Sequence, residues 1–62
     1  MDARQAKDVA RQAVNGAFRA RRIGARRKPG GWAVTIYGGW TLATARAVDA
    51  RCPRTIDLRF AP

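Results

Sequence analysis

Pro29-Gly30-Gly31 separates two short segments that agree about which side of a sheet is apolar. That agreement restricts the fold more than any other feature of the chain. Pro sets φ at the first central position of a type II turn, and Gly supplies the positive φ at the second. With Pro29 and Gly30 at the centre, Arg27 faces Trp32, Ala25 faces Val34 and Ile23 faces Ile36. Side chains alternate along a strand, so one face carries Ile23, Ala25, Trp32, Val34 and Ile36. The other carries Arg22, Gly24, Arg26, Ala33, Thr35 and Tyr37, with Tyr37 opposite Arg22. A slip of one residue would turn every apolar side chain to the wrong face. Type II is not the twist that hairpins favour, which makes Gly31 the place for a bulge to relieve it.

The flanking segments supply the rest of a small domain. Ala6, Val9, Ala10, Ala13, Val14, Ala17 and Phe18 recur at spacings of three and four, the stripe of an amphipathic helix. Asp2 is placed to cap it. The helix is expected over Ala3 to Asn15, because Asn15-Gly16 is a C-terminal stop signal. Ala17 and Phe18 continue the stripe, so the pattern leaves open whether Phe18 closes the helix or opens the first strand. Gly38-Gly39 ends the second strand, and Thr41 caps a second helix running to Arg51. Leu42, Ala45, Val48 and Cys52 mark its inner side, and Pro53 stops it. In the segment after Pro53, Ile56, Leu58 and Phe60 alternate with Thr55, Asp57 and Arg59, the pattern of a third strand.

The order α-β-β-α-β predicts a two-layer α+β fold, a three-stranded sheet with two helices packed on one face. A helix of this length spans about 16 Å at 1.5 Å per residue, enough to return the chain for a parallel third strand. The crossover is expected to be right-handed. An Arg-rich strand suits a sheet edge, which favours strand order 1-2-3; order 2-1-3, wholly antiparallel, is the alternative. Residues 1–62 are expected to form a single small basic domain. A domain this size buries only about 60% of the surface it exposes when unfolded. With no His and a single Cys, neither a zinc site nor an internal disulfide is expected to add stability, and no cofactor is implied. A homodimer, with Trp32 or Trp40 between subunits, is the remaining route to more burial.

Charge bounds the function. Thirteen bases stand against four acids, a net charge of +9. Such an imbalance points to an acidic partner. Eleven of the bases are Arg and 13 residues are Ala, a bias that GC-rich codon usage produces and that suggests a high-GC bacterium or its phage. No apolar run approaches the ~18 residues of a membrane span, and the N-terminus lacks the apolar core of a signal peptide. A cytoplasmic protein without a membrane role is therefore expected.

The side-chain inventory argues against an enzyme. Without His or Ser the usual triads cannot be assembled. Cys52 has no base and no CxxC partner, and is read as a small buried hydrophobe. Asp49 and Asp57 are read as ion-pairing with Arg46, Arg51 or Arg59 rather than as an acid/base pair. Gly38-Gly39 has no following Lys, so it is not a phosphate-binding P-loop.

The strongest functional signal is the cluster Arg19, Arg21, Arg22, Arg26, Arg27 and Lys28. Arg binds phosphate bidentately, and an exposed Tyr can stack on a base. These residues, with Tyr37 and Arg59, form the expected contact set for nucleic acid, DNA or RNA. On the first helix, Arg4, Lys7 and Arg11 lie opposite the apolar stripe and form a second basic row. The alternative is a phage or mobile-element inhibitor or adaptor, of the anti-CRISPR kind, that docks the same Arg surface on an acidic face of a host protein. In that reading Trp40 and Phe60 are the hot spots.

Overall fold

The computed structural model describes all 62 residues, in the order α1 (Ala3–Val14), β1 (Arg22–Lys28), β2 (Gly31–Tyr37), α2 (Leu42–Arg51) and β3 (Ile56–Ala61). It is an α+β fold with a mixed sheet ordered β1-β2-β3. β1 and β2 are antiparallel in the register set by the Pro29-Gly30 turn, with Ile23 opposite Ile36 and Ala25 opposite Val34. β3 runs parallel to β2, placing Ile56, Leu58 and Phe60 beside Trp32, Val34 and Ile36. Order 2-1-3 does not occur.

Pairing is continuous to Lys28–Gly31, so the expected bulge at Gly31 is absent. Gly30 takes φ +83°, as the second central residue of a type II turn requires. Gly31 serves a different purpose. A Cβ there would run into the Thr55 carbonyl, the same carbonyl that accepts a hydrogen bond from the Trp32 amide. Only a residue without a side chain lets β3 enter the sheet at this height.

Both helices lie on one face. Ala6 and Ala10 of α1 pack with Val34 and Ile56, while Ala13, Val14 and Val48 pack on Ile36. Small α1 residues bring that helix close to the sheet. Only nine residues are buried, all apolar. Asp2 caps α1 in a reciprocal pair with Gln5, and Thr41 caps α2 in the same way with Thr44. Arg51 ties the helices together, its guanidinium donating to the Ala13 carbonyl at 2.6 Å. That places a cation on the C-terminal turn of α1, where the helix dipole favours one.

Two expectations about packing change. α1 stops at Val14, and Asn15, the C-cap, donates to the Arg11 carbonyl. Phe18 therefore lies on neither α1 nor β1. It sits in the connection and packs on Phe60 with ring centroids 6.5 Å apart. Leu42 is 64% exposed rather than on the inner side of α2. At 3.6 residues per turn, Ala45, Val48 and Cys52 fall within about 60° of one another, and Leu42 lies about 90° from their centre. Cys52 itself is half-buried. Burial, and then the Asp49 carboxylate, push its thiol above the ordinary value.

Candidate nucleic-acid interface

Covering one face of the sheet leaves the other open, and the pleat decides what it carries. Gly24, Ala33 and Thr35 form its floor, none larger than Thr, in adjacent positions of β1 and β2. Around them stand Arg22, Arg26 and Lys28 from β1, Tyr37 from β2 and Arg59 from β3. The small floor and the long basic rim make a shallow groove lined by Gly24, Arg26, Lys28, Ala33, Tyr37 and Arg59 among others.

The four bases of this face are not equivalent. Arg26 is exposed and makes no ion pair or ring contact. Arg22 lies over the Tyr37 ring, 4.2 Å from its centroid. The same ring reaches over Gly24, its Cε2 3.8 Å from where a Cβ would stand. One Tyr37 face is therefore covered by a guanidinium, whose own plane is a surface on which bases stack. Lys28 and Arg59 share Asp57, each 3.3 Å from its Oδ2. Lys28 reaches Asp57 from the far edge strand, across β2 beside Gly31. Hydrogen bonds from Lys28 and then Arg59 hold the Asp57 carboxyl below its ordinary value.

Asp57 is the one acid on the face. Asp2 caps α1, Asp8 pairs with Arg11 at 3.4 Å on the same helix, and Asp49 is on α2. The predicted pairing of Asp57 with Arg59 is present, while Arg51 is engaged with Ala13.

Not every predicted contact residue reaches this face. Arg27 takes the helix side with Trp32, its guanidinium 5.9 Å from the indole centroid. Arg21 precedes β1, donates its amide to the Tyr37 carbonyl and turns its guanidinium to the Pro62 carbonyl at 3.0 Å. Arg19 is exposed in the connection from α1, and its carbonyl lies against Gly39. A Cβ on Gly39 would collide with that carbonyl, and Gly39 also holds φ +81°. The cluster of six is thus split: Arg22, Arg26 and Lys28 share the open face, and Arg19, Arg21 and Arg27 lie elsewhere. Trp40 is engaged as well, donating its indole N–H to the Ala61 carbonyl at 2.8 Å and meeting Phe60 edge-on at 5.9 Å.

No group of three Cys, Asp or Glu side chains converges, and no helix is long and apolar enough to cross a membrane. Comparison with known proteins finds no matching family model, no matching curated protein and no matching solved structure.

Proposed function

We propose that this protein is a small non-enzymatic nucleic-acid-binding protein that holds DNA or RNA against its open sheet face. The observation that carries this reading is the gathering of four bases around an uncovered sheet face with a small-residue floor. Arg22, Arg26, Lys28 and Arg59 project from one uncovered sheet face with a single acid among them. A floor of Gly, Ala and Thr lets a phosphate backbone approach the sheet, and the arginines offer paired donors to phosphate oxygens. The Arg22–Tyr37 stack adds a planar surface at one end for an unpaired base. The cytoplasm is the compartment we assign to it.

Fluorescence anisotropy with labelled duplex and single-stranded oligonucleotides tests this. Four phosphate contacts predict that log affinity falls with log salt at a slope of about −3.6 on duplex DNA. Absence of binding to any oligonucleotide at low salt would refute it. A pull-down from nuclease-treated host lysate separates the alternative, since a stoichiometric protein that survives nuclease would make the Arg face a protein-docking surface instead.

A further inference from the structure

We infer that the free edge of β3 pairs with the same edge of a second copy, joining two sheets into one six-stranded sheet about a two-fold axis through Leu58. This inference stands independently of nucleic-acid binding.

β3 has a neighbour on one side only. The Thr55 and Ala61 carbonyls both accept from the β2 side, from the amides of Trp32 and Gly38. Backbone groups alternate sides along a strand, so Asp57 and Arg59 also turn theirs toward β2. Ile56, Leu58 and Phe60 then point theirs to the free edge. The Ile56 amide is satisfied by the Pro53 carbonyl. The outward groups are the Leu58 and Phe60 amides and the carbonyls of Ile56, Leu58 and Phe60. Main-chain groups of this kind are obligatory hydrogen-bonding partners.

Their order is self-complementary. In an antiparallel pair centred on Leu58, Leu58 exchanges two hydrogen bonds with the partner's Leu58. The Phe60 amide meets the partner's Ile56 carbonyl, and the reverse. Asp57 then faces the partner's Arg59, and Arg59 the partner's Asp57. These fall at the non-hydrogen-bonded positions, where opposite side chains stand closest. Axes through Asp57 or Arg59 would also pair outward groups, but they set Asp57 against the partner's Asp57 or Arg59 against the partner's Arg59, like charges at the closest positions. On the helix side, Leu58 and Phe60 are only half-buried although they pack against the core, and the pairing would cover them further.

The other edge does not offer this. β1 has the sequence Arg22-Ile23-Gly24-Ala25-Arg26-Arg27-Lys28, four bases and no acid, so two copies of it repel.

Sedimentation of the nucleic-acid-free protein, from about 5 μM to about 500 μM, covers the range of a weak specific interface. A monomer–dimer equilibrium is expected. Hydrogen exchange at the Leu58 and Phe60 amides should slow as concentration rises. Asp57→Arg and Arg59→Asp should each weaken the dimer at least tenfold. Mixed at equal concentration, the two should restore it, because every facing pair in the mixed dimer is again opposite in charge. A wild-type protein that stays monomeric, assemblies that grow beyond two copies, or unchanged Leu58 and Phe60 exchange would overturn the inference without recourse to variants. So would two folded variants whose mixture associates no better than either alone.

Discussion

Arg26→Ala isolates the open face better than any other substitution. Arg26 is exposed and without an ion pair or ring contact, on a strand position opposite Ala33. Its loss removes one charge and no packing, so the fold should melt as before. If Arg26 neutralises one phosphate, the salt slope should become shallower by about 0.9. Extrapolated from 1 M, the same coefficient gives an affinity loss of about eightfold at 0.1 M salt and about thirtyfold at 0.02 M. Arg4→Ala is the control. Arg4 is also exposed but lies on α1, behind the opposite face of the sheet. It removes the same charge from the chain, yet should leave the slope unchanged. The assay is anisotropy on one labelled duplex across a salt series, with melting curves to confirm folding. Equal effects of Arg4→Ala and Arg26→Ala would refute the reasoning, because binding would then follow net charge rather than a particular face.

Two further predictions concern the scaffold. Ile36 is fully buried in the second core cluster, and Ile→Ala at such a site costs about 2–5 kcal/mol. The 62-residue chain has only about 3–9 kcal/mol in total at typical values per residue. Ile36→Ala should therefore lower the urea midpoint by about a fifth or more, and a loss below about 1 kcal/mol would show that the core lies elsewhere. Asp57 titrates below its ordinary value because Lys28 and Arg59 hydrogen-bond its charged form. Its contribution is thus present above the ordinary carboxylate pKa of about 3.9 and is lost as pH falls through the folded value. The melting temperature of Asp57→Asn should lie below wild type at neutral pH and converge with it in acid; parallel curves across that window would contradict the tether.

The sheet was legible because its signals are local and mutually constraining. Pro29-Gly30 fixes a two-residue connection, and alternation on both sides of it admits one register, which then places Tyr37 opposite Arg22. Thr41 and Pro53 bracket α2 for equally local reasons. What escaped the pattern depends on distance through space. Lys28 meets Asp57 across an intervening strand, 29 residues away in sequence. Arg51 finds the end of α1 at a separation of 38 residues. Neither pairing leaves a spacing in the sequence. Leu42 falls off the inner side of α2 because a three-residue repeat drifts around a helix with 3.6 residues per turn. Phe18 fits a helical stripe by spacing, but the chain has already left the helix at Asn15, with ψ 125°, and turns at Gly16, with φ +82°. Charge counting treated six clustered bases as one site. The strand period divides them, sending Arg27 to the side of Trp32 and leaving Arg26 on the open face.

The two-fold proposed for β3 has a geometric consequence for that face. An axis joining two strand edges within one sheet runs perpendicular to the sheet, so it keeps each open face on the same side. Arg22, Arg26, Lys28 and Arg59 would then repeat in a second copy across a continuous surface, with both β1 strands at its outer edges. Five strand spacings of about 4.8 Å separate those edges by about 24 Å. Asp57, the one acid of the face, would sit at the seam. There it can accept from the partner's Arg59 as well as from Lys28, since an ionised carboxylate has about four acceptor sites. The acid that dilutes the face in one copy therefore becomes the residue that aligns two. This division explains why a strongly basic surface would keep a carboxylate at its edge strand: removing Asp57 adds charge to each face and removes the complementarity that joins them.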